Sequence, residues 1–261
     1  MTDRLWRWDD VAGTFVLTEE DGDPVTLADS WHVVDGRVRG FGLHRARFSR
    51  ACQTWGEPRA ADAGLWRSVV AALPARGAWF PRIELATGRR RDLRLRLRPA
   101  PEVRRTAAVW VPPFADRREH PGFKGPDLAG LLRLREQARR HGADEALLVT
   151  DDGVVTEAAT SNVLWWDGAR LCLPDPSLPA LRGVTEALIV AEARRRGVPV
   201  RYCRRSPAQL VGHEVWLTNA LHGIRVVSSW DGQPATTGVT PRAREWQRRL
   251  ESMAAVPAVD R

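Results

Sequence analysis

The sequence is poor in cysteine and lysine, and it contains no long apolar run. Cys52, Cys172 and Cys203 are widely separated and form no C-x-x-C pair, which argues against a zinc site or a redox dithiol. No stretch reaches the roughly 18 apolar residues of a membrane helix, and residues 1–10 lack the apolar core of a signal peptide. We therefore expect a cytoplasmic protein with no membrane partner and no metal.

Signatures of several enzyme classes are also missing. There is no G-x-S-x-G elbow, and His213-Glu214 lacks the second histidine of H-E-x-x-H. Residues 40–45 do not complete G-x-G-x-x-G, so a dinucleotide site is not expected. These absences argue against a serine hydrolase, a zinc protease and a dinucleotide-dependent dehydrogenase.

The net charge of +8 raises the question of a nucleic-acid partner, because clustered cations neutralise phosphates. The arginines, however, are scattered along the whole chain and form only short clusters, as at residues 89–91 and 194–196. No zinc-finger or RNA-binding signature accompanies them. We expect no nucleic-acid partner.

Of 40 lysine and arginine residues, only Lys124 is a lysine. A guanidinium stays protonated and cannot condense with an aldehyde, whereas a primary amine can form a Schiff base. Lys124 is therefore a candidate for covalent catalysis. The alternative is a solvated lysine without a role.

Hydrophobic periodicity predicts a two-domain α+β (α/β) fold. Residues 1–115 form a small N-terminal α/β domain, and residues 116–261 form a larger, β-rich C-terminal domain with flanking helices. In the first domain the predicted strands are 14–17, 31–34, 79–85 and 93–97, and the predicted helices are 44–55 and 62–73. In the second, the turns at Asp151-Asp152-Gly153 and Asp167-Gly168 predict two hairpins.

Pyridoxal 5'-phosphate (PLP) needs an amine for its aldehyde, an acid facing its pyridine nitrogen and donors for its phosphate. Lys124 offers the amine, and Glu157 lies at the end of a predicted hairpin strand. Residues 183–185 open a predicted helix, whose unpaired N–H groups favour an anion. Each feature also has an ordinary interpretation, as a surface acid or a simple helix start.

The order of these features resembles the fold-type IV PLP enzymes, which include branched-chain and D-amino-acid aminotransferases and 4-amino-4-deoxychorismate lyase. The run consists of Lys124, a helix, D-E-A-L at 144–147, D-G-V-V-T-E at 152–157 and S-N at 161–162. The resemblance covers roughly residues 30–235 and implies a D-amino-acid aminotransferase-like fold, a homodimer and an amino-acid-like substrate. It implies that Lys124 carries PLP, that Glu157 faces the pyridine nitrogen, and that the remaining cofactor-binding residues include Asn162, Gly183, Val184, Thr185, Asn219 and Ala220.

Two earlier segments extend the resemblance. H-R-A-R-F at 44–48 is similar to the family's H-x-x-R-L helix, whose arginine binds the PLP phosphate, and this assigns Arg47. Arg82 stands where some members place an arginine for the substrate carboxylate, although a solvated strand arginine would look the same. Residues 28–33 replace the family pattern D-G-x-F-E-T, which alters the substrate wall and makes Trp31 a candidate substrate contact.

Other departures concern the substrate. Ala129 replaces a tyrosine of the branched-chain enzymes, Asp127 stands where lyases often have asparagine, and Glu186 follows the G-V-T motif where many members have arginine. The segment 214–221 ends in N-A-L, as in the lyase, whereas branched-chain enzymes have G-T-A. We favour a lyase that eliminates pyruvate to give 4-aminobenzoate, with Lys124 as Schiff base and general base. The alternatives are an aminotransferase of branched-chain or D-amino acids and a non-catalytic PLP-binding protein.

Overall fold

The chain folds into two compact units in a computed structural model, which describes residues 3–235 and 238–259. Unit 1 comprises Met1–Glu102, Phe123–Pro126 and Met253–Arg261, and unit 2 comprises Val103–Gly122 and Asp127–Ser252. The chain first passes from unit 1 to unit 2 after Glu102, and not near residue 115 as predicted, because residues 106–110 pair with strands of unit 2. Lys124 belongs to unit 1, although the predicted boundary assigned it to the C-terminal domain.

Unit 1 combines two antiparallel sheets with two α-helices. Its five-stranded sheet has the order β2-β1-β8-β7-β3, and its small sheet pairs β4 with β5 and β6. The elements are β1 Arg4–Asp9, β2 Thr14–Thr18, β3 Val25–Ser30, β4 Val33–Val34, β5 Arg37–Arg39, α1 Phe41–Thr54, a 3-10 turn at Pro58–Ala61, α2 Ala63–Ala71, β6 Ala78–Trp79, β7 Arg82–Thr87 and β8 Arg91–Leu97. Ala254–Ala255 adds an edge strand to β5.

The two faces of the five-stranded sheet differ because side chains alternate along each strand. Ile83, Leu85, Leu93 and Leu95 are buried in the core of unit 1, which α1 and α2 complete with residues such as Phe48, Leu65 and Trp66. The opposite face of β7 and β8 carries charged residues, and Arg82 lies directly across from Arg96. The sheet therefore presents a row of charges on its other side.

Unit 2 is built on a nine-stranded sheet in the order β11-β10-β9-β16-β15-β12-β13-β14, with β17 paired to β16. Its strands are β9 Thr106–Trp110, β10 Glu145–Val149, β11 Val155–Ala158, β12 Asn162–Asp167, β13 Arg170–Pro174, β14 Val200–Cys203, β15 Glu214–Asn219, β16 Gly223–Trp230 and β17 Gln233–Pro234. Its helices are α3 Leu128–Arg140, α4 Val184–Arg195, α5 Pro207–Leu210 and α6 Pro241–Ser252. The sheet is mixed, since β9 runs parallel to β10 and β16 whereas β12 is antiparallel to β13 and β15.

Both predicted hairpins are confirmed. Strands β10 and β11 are joined through Gly153, which has a φ of 73°, and β12 and β13 are joined through Gly168, with a φ of 59°. A left-handed backbone at these turns suits glycine. The strand predicted at 31–34 is wrong in extent, because the main strand is Val25–Ser30 and only Val33–Val34 follows. None of the described helices is long and apolar enough to cross a membrane.

Candidate cofactor site

Lys124 lies against the free edge of β3. Its carbonyl oxygen accepts a hydrogen bond of 2.8 Å from the backbone N–H of Ala28. The next residue, Gly125, has a φ of +146°, and a Cβ atom there would lie 2.2 Å from the carbonyl oxygen of Thr26. Only glycine allows this close approach, so Gly125 fixes the backbone position of Lys124 beside the strand.

Asp29, on the same strand, organises the residues of α1 that face it. The carboxylate is 1% exposed and accepts hydrogen bonds of 2.8 Å from both Nε and Nη2 of Arg47. Its Oδ1 also lies 2.8 Å from Nδ1 of His44. His44 and Arg47 are three residues apart and therefore lie on one helix face. Arg47, the predicted phosphate ligand, is thus held by a buried carboxylate.

The neighbouring charges and the burial of Asp29 and His44 shift the pKa of both side chains. Burial raises the pKa of Asp29, but the positive charge of Arg47 and the hydrogen bonds outweigh it and hold the pKa well below its ordinary value. Burial lowers the pKa of His44 despite the nearby Asp29 carboxylate, and the charges of Arg47 and Lys124 lower it further. The Lys124 amine therefore lies within electrostatic reach of this histidine.

Glu157 occupies a corresponding buried position in unit 2. Its Oε1 accepts hydrogen bonds from Nη1 of Arg118 at 2.8 Å and from the backbone N–H of Leu181 at 2.9 Å. Arg118 is itself half-buried and also pairs with Asp116, at 2.7 Å between Nη2 and Oδ2. Burial raises the pKa of Glu157, and the charge of Arg118 opposes that shift. Arg118 was not predicted as a site residue because nothing in the sequence distinguishes it from the many other arginines.

The start of α4 packs against the same residues. Asn162 donates a hydrogen bond from Nδ2 to the carbonyl of Leu181 at 2.7 Å. A Cβ atom at position 183 would lie 1.8 Å from the Asn162 Oδ1, so Gly183 is required there. No side chain caps the helix at Gly183. The first N–H groups of α4, at Val184 and Thr185, therefore have the character of an anion site.

Glu186 is a further carboxyl of unit 2 and lies in the first turn of α4. Burial raises its pKa to about 7, while the charge of Arg182 lowers it and that of Glu157 raises it. Its Cβ lies 3.5 Å from where a Cβ of residue 183 would stand. Glu186 therefore titrates near neutral pH beside the predicted phosphate donors.

Asn219 joins the end of β15 to the turn that precedes β12. Its Nδ2 donates to the Thr160 carbonyl at 3.2 Å and to Oγ of Ser161 at 3.1 Å, and its Oδ1 accepts from the His222 N–H at 2.8 Å. Ala220 follows in the same turn. These bonds fix the turns on either side of the N-A-L sequence.

A buried ion pair between Arg225 and Glu145 stabilises the turn at residues 160–161. Nη2 of Arg225 lies 2.6 Å from Oε1 of Glu145 and 2.9 Å from Oγ of Ser161. Glu145 also accepts hydrogen bonds from the N–H and the hydroxyl of Thr160, at 3.1 and 2.5 Å. A pair buried this completely persists only with such additional hydrogen bonds, so the turn at 160–161 is rigidly held.

The predicted cofactor residues thus fall into two groups. In unit 2, a chain of hydrogen bonds and packing contacts joins Glu157, Asn162 and Gly183, with Val184 and Thr185 following, and Asn219 bonds to the turn beside Asn162. In unit 1, Lys124 and Arg47 both attach to β3. Their individual roles remain predictions.

The two predicted substrate residues lie in different surroundings, and their roles stay predictions. Trp31 is 0% exposed, and its ring packs against Phe41 and Trp66 at centroid distances of 5.4 and 6.3 Å, so its ring belongs to the core of unit 1. Arg82 is bound to the buried Glu84, with 2.6 Å between Nε and Oε1. The charge of Arg82 is therefore compensated within the sheet.

The chain is similar in sequence to known proteins. The sequence profile of the class IV amino-transferase family matches residues 26–230. An aminodeoxychorismate lyase of Bacillus subtilis (strain 168) is 33% identical over 78 residues, which are 30% of this chain and only 27% of that relative.

Solved structures agree in fold. A fold IV-transaminase from Curtobacterium pusillum has a TM-score of 0.79 at 21% identity, covering 95% of this chain and 97% of its own. The PLP-bound form of a hypothetical aminotransferase from Mycobacterium tuberculosis has a TM-score of 0.78 at 19% identity, covering 97% and 98%. The predicted α+β fold of type IV is confirmed. The match over residues 26–230 shows that the chain belongs to the class IV aminotransferase family.

Proposed function

We propose that the protein is a PLP-dependent enzyme in which Lys124 holds the cofactor and which acts as a lyase on a substrate like 4-amino-4-deoxychorismate. The observation that carries the proposal is the placement of Lys124. The only lysine of the chain is fixed by Gly125 against β3, the strand whose Asp29 holds Arg47. A fixed amine and an arginine attached to the same strand fit an aldehyde and a phosphate of one cofactor.

The residues of unit 2 that the family resemblance assigns to PLP have the chemistry expected for it. A buried carboxylate is costly unless it is paired, and Glu157 is paired with Arg118. Such an acid suits a protonated ring nitrogen. The start of α4, with no side-chain cap at Gly183, suits the phosphate because its N–H groups and dipole favour an anion. PLP, when bound, supplies an electron sink for negative charge at the substrate Cα.

The side chains then have defined tasks. With PLP bound, the Nζ atom of Lys124 would hold the cofactor and would serve as the base for the proton at Cα. Glu157 keeps a proton on the ring nitrogen, and Arg118 keeps Glu157 ionised by its charge. Arg47 would hold the phosphate, and Asp29 orients its guanidinium through two hydrogen bonds.

The lyase is favoured over the aminotransferase by one local feature. Asn219-Ala220-Leu221 resembles the lyase sequence, and the hydrogen bonds of Asn219 give this turn a fixed conformation. The similarity to the Bacillus subtilis lyase supports the same choice over its matched segment. An aminotransferase remains the second candidate, because the family and the Curtobacterium pusillum transaminase share the fold. A homodimer and a cytoplasmic location form part of the proposal, on the resemblance and composition alone.

The test follows the products. Purified protein loaded with PLP should convert 4-amino-4-deoxychorismate into equal amounts of pyruvate and 4-aminobenzoate without any keto acid. Lys124→Arg, which keeps the charge but cannot condense with an aldehyde, should abolish turnover. Borohydride should fix the cofactor to the peptide containing Lys124. Turnover that requires a keto-acid acceptor would establish the aminotransferase instead, and failure of folded protein to take up PLP would end the proposal.

A further inference from the structure

Two acidic residues at the start of β10 bring three arginines of unit 2 together. Oδ1 of Asp144 accepts from Nη1 of Arg104 at 3.3 Å, and the Asp144 carbonyl accepts from Nε of Arg135 at 3.1 Å. Oε1 of Glu145 lies 2.6 Å from Nη2 of Arg225 and 3.7 Å from Nε of Arg135. Two guanidinium groups therefore share the one buried carboxylate of Glu145.

His222, in the turn between β15 and β16, lies against the same cluster. Its Nδ1 accepts a hydrogen bond of 3.2 Å from the backbone N–H of Arg104, and its carbonyl oxygen accepts one of 2.6 Å from Nη1 of Arg105. The histidine is 6% exposed. Burial, followed by the charges of Arg225 and Arg135, lowers the pKa of His222 to about 3. The ring is therefore neutral at pH 7.

The hydrogen bond from Arg104 fixes the tautomer of this ring. A neutral imidazole has one donor nitrogen and one acceptor nitrogen. Because Nδ1 accepts from a backbone N–H, the ring proton lies on Nε2. Within residues 3–235 and 238–259, the hydrogen bonds of His222 use Nδ1, the carbonyl oxygen and the backbone N–H, and none uses Nε2. The Nε2–H donor is therefore left for a group from outside the chain.

Arg135 supplies further donors. Its Nε donates to the Asp144 carbonyl, whereas neither Nη atom has an acceptor within the described ranges. The side chain is 27% exposed, so a solute can reach it. Its charge is also one of those that lower the pKa of His222, which places the two side chains in electrostatic contact. Arg105, bonded to the His222 carbonyl, adds another cation beside them.

These donors favour a tetrahedral oxyanion over a planar carboxylate. They come from three parts of unit 2: the turn before β16, the middle of α3 and the residues before β9. A phosphate group presents oxygens in several directions, whereas the two oxygens of a carboxylate lie in one plane. Arginine is well suited to phosphate because its guanidinium offers several N–H donors in a fixed geometry.

We propose that Nε2 of His222 and the Nη atoms of Arg135 bind the phosphate group of a small solute. Inorganic phosphate and a phosphate ester share this chemistry. The inference goes beyond the proposed function, since neither residue is a predicted PLP ligand. The site would communicate with the predicted cofactor site, because the His222 N–H donates 2.8 Å to Oδ1 of Asn219.

The test uses the full-length protein, with and without PLP. Titration calorimetry at constant ionic strength measures the dissociation constants of inorganic phosphate and methyl phosphate. The PLP-loaded protein should bind phosphate saturably, and Arg135→Gln should weaken binding by roughly 10- to 100-fold, the range of a lost charge-assisted contact. Arg135→Lys should recover part of the affinity. Arg133→Gln, which removes an exposed arginine of the same helix, is the matched control and should leave the constant unchanged.

The histidine is tested separately. His222→Asn keeps an acceptor near the position of Nδ1 but removes the Nε2 donor, so it should also weaken phosphate binding. Nitrogen-15 NMR should show His222 neutral with its proton on Nε2, and phosphate should shift that resonance. Tighter binding of inorganic phosphate or of methyl phosphate would assign the site to the free ion or to an ester, and either result supports the proposal.

Several results would overturn the proposal. These are no saturable binding of phosphate, equal losses in Arg135→Gln and Arg133→Gln, a proton on Nδ1 of His222, and acetate binding as tight as that of phosphate. Phosphate binding that PLP abolishes would assign the donors to the cofactor and would overturn it as well. Failure of the wild type to bind PLP would count against the proposed function alone, because phosphate binding is also measured without PLP.

Discussion

Asp29 holds the guanidinium of Arg47 by two hydrogen bonds of 2.8 Å, one from Nε and one from Nη2. If Arg47 binds the cofactor phosphate, Asp29 is the residue that orients it. Asp29→Asn keeps the shape but loses the charge and one of the two good acceptors. We expect the PLP dissociation constant to rise about 10-fold or more, as for loss of a charge-assisted contact, measured by absorbance titration.

A helix cap in unit 1 serves as the control that distinguishes a loss of arginine orientation from a loss of stability. Asp62 caps α2 by accepting from the Leu65 N–H at 2.9 Å, so Asp62→Ala should cost about 1 kcal/mol of unfolding free energy. It should leave PLP affinity unchanged. If Asp29→Asn lowers stability but not PLP affinity, Asp29 only stabilises the fold.

Gly125 allows a second prediction. In Gly125→Ala, the new Cβ would meet the carbonyl of Thr26 at 2.2 Å, so the segment must move away from β3 and carry Lys124 with it. We expect the fraction of protein trapped with cofactor by borohydride to fall several-fold. Gly122→Ala, whose Cβ would meet nothing within 4 Å, is the matched control. Equal trapping in both variants would show that the close approach does not position the lysine.

Arg118 leads to a prediction about pH. Because burial already raises the pKa of Glu157, removing the opposing charge in Arg118→Gln should raise it further. Glu157 would then be neutral over more of the acidic range and could not keep the ring nitrogen protonated. The acidic limb of the kcat profile should move to higher pH, with turnover at neutral pH reduced by about 10- to 100-fold. Arg117→Gln, which removes an exposed arginine paired with Asp151, should leave the profile in place.

The sequence predicted the elements whose signals are local or carried by family spacing. The two hairpins follow from their Asp-Gly turns. The cofactor roles of Glu157 and Gly183 come from their order after Lys124 and stay predictions. Strand β1 was missed because its burial pattern does not alternate. Strand β3 was missed because Asp29 is a buried charge whose partners lie on α1, and the local sequence pattern gives no sign of them.

The surroundings of Trp31 have a similar cause. Trp31 has the right residue type for a binding wall, but its neighbour Trp66 comes from a distant part of the chain. Likewise, the return of residues 123–126 to unit 1 depends on backbone pairing with Ala28. Contacts between distant segments decide these placements, and residue identity alone does not.

The raised pKa of Glu186 leads to a prediction about how stability and cofactor binding depend on pH. Its pKa in the folded chain is about 7, raised by burial from an ordinary value of 4.5. A carboxyl with a raised pKa binds its proton more tightly when folded, so its contribution to stability is fully present below about pH 4.5 and is lost as the pH rises towards 7. As the pH rises from 4.5 to 7, the melting temperature of the wild-type protein should therefore fall relative to that of Glu186→Gln, which cannot ionise.

If α4 binds the cofactor phosphate, the negative charge that Glu186 acquires above pH 7 should also weaken PLP binding. The difference in PLP affinity between wild type and Glu186→Gln should then widen from pH 6 to pH 8. Calorimetric melting and PLP titration over this range measure both effects. Parallel curves for the two proteins would show that Glu186 does not change its charge near neutral pH.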